Sequence, residues 1–498
     1  MTDLSPKRRL ATAPMARLIA TAVVTSALLA GCVMVPKDQR LLHPRTGSEM
    51  GLGSTPDVVP SVPVAPDWWQ AMGDPQLDRI MADALSNSPT LDEAAARLRV
   101  AQTMIAGAKA GLMPQVSGDV SATDERFSNR YIYPAPLGGS TSWISNAEVD
   151  LHWSLDLAGR QKELVVAARA FTHAAALNAA AARVTLSGSV AQAYVNLARA
   201  DAQARLAREF VTSREASLKL VEARRAANLG TDIDVAAART LLAEARQAVV
   251  RAQGAQVLMV HALAALAGRG PDYYATIGAP ALHFDAALPV PRALPADVLG
   301  RRADLLAART QVDLAIAGQQ IAKADFYPNV DLRAFVGAQA LGLGSLLTGA
   351  AMDGGVGPAL HLPIFSGGAI TARYTSAVAG ADVAIAQYNG AVVRAVREAA
   401  DALSALDTNR ADAAQQADVV AGLQKTVALD KVRLDSGLST RFDVLNAGER
   451  LLSARQAGLD LAADGALRRI QLLVALGGGF SPIADQKAGD KPAASTQR

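Results

Sequence analysis

Two long stretches of this 498-residue chain, 137–270 and 364–481, contain no proline. An interior proline removes a helix hydrogen bond and clashes with the preceding turn, so its absence permits very long helices. Both stretches are rich in residues that favour helix, above all alanine and leucine. A short turn near the far end of each stretch predicts two helical hairpins, with first arms at 159–227 and 367–436. Each arm would be on the order of 100 Å long.

The two predicted hairpins are copies of one another. Segment 226–247 aligns with segment 435–456 at an offset of 209 residues, which matches Leu229 with Leu438 and Asp234 with Asp443. A second match, at a slightly larger offset, relates the Pro114 region to the corresponding region of the second half. The chain is therefore an internal tandem repeat, and we place the two repeats at 67–290 and 291–480.

Each repeat also contains two candidate strands between its central proline and its long helix. The clearest, 143–157, alternates apolar residues with polar ones, which is the period of a strand with one apolar and one wet face. Weaker candidates lie at 116–123, 330–340 and 356–364, and the loops between strands are rich in glycine, proline and serine. Each repeat thus reads helix, strand, loop, strand, helix, helix.

Four strands with an apolar outer face cannot close a membrane-spanning barrel alone, because an open sheet edge in lipid leaves backbone groups without hydrogen bonds. We therefore expect several protomers to share one barrel whose apolar face meets lipid. An alternative is a soluble sandwich edge with the same polar residues on its solvated face. The residues predicted to face a water-filled lumen are Asp119, Glu148, Asp150, His152 and Arg333.

The only cysteine of the chain, Cys32, directly follows a small-residue segment at 29–31. Before it come four basic residues and an uncharged stretch, 18–30, too short to span a bilayer. This pattern is typical of a bacterial lipoprotein signal, in which the Cys32 thiol receives a diacylglyceryl group and its amine an N-acyl chain. The alternative is a chance cysteine behind an ordinary signal peptide.

The predicted organisation has three parts besides the two repeats. They are a signal peptide at 1–31, a lipid-anchored extended segment at 32–66 and a disordered tail at 481–498. The leader carries four basic residues and one acidic residue, so removing it changes a net charge of +3 into electrical neutrality. A neutral mature chain gives no reason to expect nucleic-acid binding.

Enzymatic chemistry is not expected. The six histidines are scattered without the spacing of metal ligands, and the sequence has no HExxH, GxSxG or Walker motif. We predict no catalytic residue, no metal and no cofactor other than the lipid on Cys32. Because the sequence offers no means of energising transport, we predict a passive conduit.

The sequence resembles the TolC-like outer membrane efflux proteins, specifically their NodT-type lipoprotein branch. The resemblance is carried by the lipobox, which is the lipoprotein signal at 29–32, and by Trp68-Trp69 with the segment 74–77. It is carried also by the block 153–160, by the segment 363–368 and by the two hairpin turns. It implies a mainly helical homotrimer whose long helical hairpins form a periplasmic α-barrel. Four strands per protomer would contribute to a shared 12-stranded outer membrane β-barrel.

The resemblance also implies the partners and the role. The protein would be the outer membrane channel of a tripartite efflux system that exports small toxic compounds. It would dock onto a periplasmic membrane fusion adaptor that links it to an inner membrane pump, by resemblance of the resistance-nodulation-division type. The runner-up is a periplasm-spanning structural or adaptor lipoprotein that forms no pore; a heat-sensitive trimer and ion conductance would separate the two.

Two further sets of residues follow from the resemblance. The hairpin turns are expected both to reverse the chain, using their glycines, and to contact the adaptor. Asp443 and, with a weaker match, Asp234 are candidate gate residues; Asn446 takes the place of a second acidic residue, so the carboxylate ring would be weaker. The alternative is that these carboxylates only stabilise helix N-termini. The adaptor-contact residues are Asn228, Leu229, Gly230, Thr231, Gly437, Leu438, Ser439 and Thr440.

Overall fold

The fold is described by a computed structural model, which covers residues 35–37, 40–50, 64–286, 288, 290 and 300–481. The predicted leader, the lipid site Cys32 and nearly all of the predicted tail lie outside these residues. The helices are α1 (Pro75–Asn87), α2 (Pro89–Ala110), α3 (Arg160–Ala226), α4 (Asp232–Leu266), α5 (Ala303–Ala324), α6 (Ala369–Asp435) and α7 (Arg441–Ala475). The strands are β1 (Gln115–Arg126), β2 (Thr141–Ser154), β3 (Asn329–Leu341) and β4 (Met352–His361).

The helices confirm the internal repeat in their lengths as well as in their order. Helices α2 and α5 have 22 residues each, α3 and α6 have 67 each, and α4 and α7 have 35 each. The predicted order of helix, strand, loop, strand, helix and helix is present in both copies. At a rise of about 1.5 Å per residue, the two longest helices are each about 100 Å long.

Contacts divide the chain into two compact units, and each unit takes segments from both repeats. The first contains Arg99–His173 and Arg309–Ala386, and so holds the whole sheet. Its core cluster includes Phe326, Ile370 and Tyr374 beneath the sheet-to-helix connections of the second repeat. The second unit contains Pro44–Leu98, 174–308 and the chain after Ala386, and is helical.

The four strands form one antiparallel sheet in the order β1-β2-β3-β4. Strand β2 was expected to reach Leu157, but it ends at Ser154 because the chain turns into α3 there. Asp156 takes a positive φ of 49°. Its carboxylate accepts hydrogen bonds from the backbone N–H groups of Gln161 at 2.7 Å and Lys162 at 2.9 Å, which caps the helix.

Strand β4 lies earlier than predicted. The expected range was 356–364, whereas the strand covers Met352–His361 and includes glycines that the sequence placed in a loop. Cross-strand pairing explains this difference: Phe335 lies opposite Gly355, and a Cβ on Gly355 would come within 2.8 Å of the Phe335 ring. Glycine here leaves room for the neighbouring Phe335 ring and does not mark a turn.

The largest core cluster belongs to the second unit, where Trp68 and Trp69 pack with residues of α1, α3, α4 and α7. A buried polar contact sits in this core. Tyr194 is fully buried, and its hydroxyl donates to Asp74 Oδ2 at 2.6 Å. The same carboxylate accepts from the backbone N–H groups of Gln76 and Ala281, so it ties α3 to the start of α1. Burial, reinforced by Asp74, raises the pKa of the Tyr194 phenol.

Replacing Tyr194 with Phe should destabilise the protein by about 2 kcal/mol, because a buried carboxylate loses a hydrogen-bond donor. Thermal unfolding followed by circular dichroism measures the change. The matched control is Tyr327→Phe, since Tyr327 is 48% exposed and its hydroxyl has no hydrogen bond among the described residues. Equal melting temperatures for the two variants would contradict the role given to the Asp74–Tyr194 bond.

Candidate functional site

The strand register brings all five predicted lumen residues onto one face of the sheet. Asp119 lies opposite Glu148, and His152 lies opposite Arg333. Asp150 shares their face because it stands two residues from both Glu148 and His152 on the same strand. The shared face agrees with the alternation seen in β2, and the assignment of that face to a water-filled lumen stays a prediction.

The opposite face of the sheet is almost entirely apolar. Many of its side chains are exposed in the protomer, including Val120 at 81% and Val356 at 76%. Both β1 and β4 pair with one strand only within the described chain, so each leaves a row of backbone groups unpaired. A sheet with one apolar face, one charged face and two open edges is incomplete as an isolated object.

The two hairpin turns have the same local structure. Asn228 and Gly437 occupy equivalent positions and both have a positive φ, 56° and 70°. In each turn the next residue, Leu229 or Leu438, donates its N–H to a carbonyl five residues back at 2.8 Å, as in a Schellman motif. Gly230 was expected to make the first reversal possible, but Asn228 takes that conformation instead. Asparagine tolerates it better than most residues.

The exposed ends of the turns are apolar. Leu229 is 69% exposed and Leu438 is 71% exposed. Their backbone carbonyls accept from Arg224 and Arg433 respectively, each at 3.3 Å. Each turn therefore presents a leucine to solvent beside an arginine that is held in place.

The candidate gate carboxylates are both parts of capping boxes. Asp234 accepts from the backbone N–H of Thr231 at 2.8 Å, and Asp443 accepts from that of Thr440 at 2.9 Å. Hydrogen bonds from these threonines hold the pKa of both carboxyls below their usual range. Both are therefore charged at neutral pH, and each stabilises the start of its helix.

A cavity of about 300 Å³ lies beside the first turn. Asp234 and Asn446 both line it, while Asp443 does not, so the structure brings two of the three candidate gate residues together. Phe442 of α7 closes it on one side. Arg214, also in the lining, forms an ion pair with Glu449 at 2.9 Å. Burial raises the pKa of Glu449, and the charge of Arg214 opposes that shift.

Sequence reasoning missed several of these residues. The cap formed by Asp156 lies within the block 153–160, which the sequence could only match as a pattern. The pair Arg214–Glu449 joins positions far apart in sequence, and nothing in their local surroundings indicates it. Within the described part of the chain, no group of three or more histidine, cysteine, aspartate or glutamate side chains is placed to hold a metal ion.

The outer membrane efflux protein family model matches residues 80–269 and 294–478, which is most of the chain. The chain belongs to the outer membrane efflux protein family. The crystal structure of the outer membrane protein VceC from Vibrio cholerae is similar, with a TM-score of 0.76 and 34% identity over 84% of this chain and 100% of VceC.

Two relatives with known roles are also similar to this chain in sequence. The fusaric acid resistance protein FusA of Burkholderia cepacia is 39% identical over 321 residues, which are 64% of this chain and 60% of FusA. The outer membrane protein OprJ of Pseudomonas aeruginosa is 28% identical over 92% of this chain and 95% of OprJ.

Family membership confirms the predicted fold class, the outer membrane location and the role as a channel of an efflux system. Members of the family are channels, not enzymes, and they are trimers that work with adaptors and inner membrane pumps. Among the described helices, α3 and α4 are long and apolar enough to cross a membrane. In outer membrane efflux proteins the helical part lies in the periplasm.

Replacing Asp443 with Asn should weaken cation preference and raise conductance, because the charge is lost while an amide oxygen can still accept from Thr440. Single-channel recording in planar bilayers measures both quantities. Thr440→Val is the matched control, since it removes a capping hydroxyl and keeps the carboxylate. Unchanged records for the Asn variant would remove Asp443 from the gate, and equal changes in both variants would assign the effect to capping.

Proposed function

We propose that three copies of this chain form a passive conduit across the outer membrane. The observation that carries the proposal is the sheet with two open edges, since pairing β4 of one copy with β1 of the next leaves no edge in a closed twelve-stranded barrel. Its apolar face contacts outer membrane lipid. Its charged face, with Asp119, Glu148, Asp150, His152 and Arg333, surrounds a water-filled lumen.

The lipid anchor is a second part of the proposal. The lipobox before Cys32 supports acylation of its thiol and amine after removal of the leader. A chain held by its own β-barrel strands does not depend on the acyl chains for membrane insertion.

The hairpin turns contact a periplasmic membrane fusion adaptor that connects the channel to an inner membrane pump of the resistance-nodulation-division type. The exposed leucines at both turns support this assignment, because an apolar tip beside a fixed arginine offers both area and hydrogen bonds to a partner. The equivalent residues of the first turn, Asn228, Leu229, Gly230 and Thr231, and of the second, Gly437, Leu438, Ser439 and Thr440, form one repeated contact surface.

The conduit is passive and exports small toxic compounds that the pump selects. FusA is named for resistance to fusaric acid, which suits export of small organic compounds by this chain as well. Three copies of Asp443 around a threefold axis form a carboxylate ring that favours cations and restricts the tunnel. Asn446 adds no charge to it, and Asp234 supplies a second set of carboxylates.

A photo-crosslinking amino acid at Ser439, used in living cells, should capture the periplasmic adaptor, which mass spectrometry identifies. The matched control places the same amino acid at Val120, which is 81% exposed on the apolar face of the sheet and should capture no adaptor. Failure to capture an adaptor from Ser439, in cells that contain the trimer, would contradict docking by the hairpin turns.

A further inference from the structure

A row of polar contacts joins the long arm of the first hairpin to the short arm of the second. Arg199 of α3 pairs with Asp460 of α7 at 2.8 Å, and Gln203 donates to the same carboxylate at 2.8 Å. Further along, Glu209 pairs with Arg455 at 3.8 Å. As residue numbers rise along α3 they fall along α7, so the two helices run antiparallel in a fixed register.

The internal repeat defines a second pair of helices of the same kind. An offset of 209 residues maps the long arm α3 onto α6, and it maps the short arm α7 back onto α4. No hydrogen bond or ion pair connects α6 to α4 within the described chain. The α3–α7 interface is therefore formed inside the protomer. The equivalent interface between α6 and α4 is not formed by polar contacts in the described chain.

Two of the α3–α7 contacts map onto positions with opposite charges, whereas the ion pair Arg214–Glu449 maps onto the uncharged residues Leu423 and Thr240. The pair Gln203 and Asp460 maps onto Asp412 of α6 and Arg251 of α4. The pair Glu209 and Arg455 maps onto Asp418 of α6 and Arg246 of α4. The acidic residue is thus again on the long arm and the basic residue on the short arm. Asp412, Arg251 and Asp418 are exposed, and none of them has an ion pair within the described chain. Arg246 differs, because it already pairs with Glu215 of its own hairpin at 2.9 Å.

The side chains of α4 on this flank are also incompletely buried. Ile233 is 79% exposed, whereas Phe442, its equivalent in the second repeat, is 38% exposed and lines the cavity beside α3 and α4. Val250 is 68% exposed, whereas its equivalent Leu459 is half-buried. Helix α4 thus exposes apolar and charged side chains at positions where the equivalent residues of α7 contact the long helix α3.

We propose that α6 of each copy packs against α4 of the next copy in the register of the α3–α7 interface. Asp412 then faces Arg251 of the neighbouring copy, and Asp418 lies near Arg246 of that copy, which keeps its own ion pair with Glu215. The inference rests on the trimeric channel proposed above and adds which helices, which register and which charges define the protomer interface.

The charges also select the correct neighbour. If the second hairpin of one copy met the second hairpin of another in this register, Asp412 would face Asp460, and two carboxylates would repel. The pair with Arg251 replaces this repulsion by attraction. Exposed ion pairs contribute little to stability. Their value here is specificity between two hairpins of nearly identical shape.

Disulfide cross-linking of the full-length protein in outer membranes tests the register. The double variant Asp412→Cys with Arg251→Cys should form covalent dimers and trimers that survive boiling without reductant. The matched control combines Asp412→Cys with Glu244→Cys, since Glu244 lies two turns from Arg251 on α4, about 10 Å away. That control should remain largely uncross-linked, as should each single variant.

Charge exchange gives a second, independent measurement. Asp412→Arg alone and Arg251→Asp alone should each lower the temperature at which the trimer dissociates on an unboiled gel, and the double exchange should restore most of it. A normal wild-type trimer with no cross-link at Arg251, or with preferential cross-linking at Glu244, would overturn the register and leave the channel proposal standing. A wild-type protein that forms no trimer would contradict the channel proposal itself.

Discussion

Unpaired backbone at the two edges of a four-stranded sheet governs how this chain can exist in a membrane. Hydrocarbon offers no hydrogen bonds, so each open edge costs several kcal/mol for every unsatisfied group it exposes to lipid. Strands β1 and β4 are the edges, and each pairs on one side only in the described chain. The protomer therefore depends on other copies for its completion, and its apolar and charged faces follow from the same closure.

The helical part of the protomer also depends on other copies. Two hairpins of equal helix lengths place the same surfaces at two positions. Between the hairpins, the long arm α3 pairs with the short arm α7 in the described chain, whereas no hydrogen bond or ion pair joins α6 to α4 there. Three copies of the chain would supply six similar hairpins to one closed arrangement. The differences between repeats, such as Asp412 where the first repeat has Gln203, then distinguish contacts within a copy from contacts between copies.

The sequence predicted the parts of the fold that depend on local pattern. Proline-free stretches and the 209-residue offset located both hairpins to within two residues, and alternation in β2 correctly assigned its two faces. Strand β4 was misplaced because Gly354 and Gly355 resemble loop residues until Phe335 is known to lie across from them. The reversal at Asn228 was also missed, because glycine in the same turn was the more obvious residue for a positive φ.

Roles that depend on distant partners were out of reach of the sequence. Asp443 was a candidate gate residue from family resemblance, and its capping bond to Thr440 adds a structural role that the same carboxylate serves. The pair Arg214–Glu449 and the register of α3 with α7 required three-dimensional placement. Once that register was available, the repeat itself extended it to the flank formed by α4 and α6.

Native mass spectrometry of the protein extracted from outer membranes in mild detergent tests the central claim most directly. If three copies form one barrel, we expect a single species with the mass of three chains, each carrying the same acyl modification. A monomer that conducts ions in planar bilayers without associating would contradict it, because one four-stranded sheet would then be forming a pore with its edges unpaired.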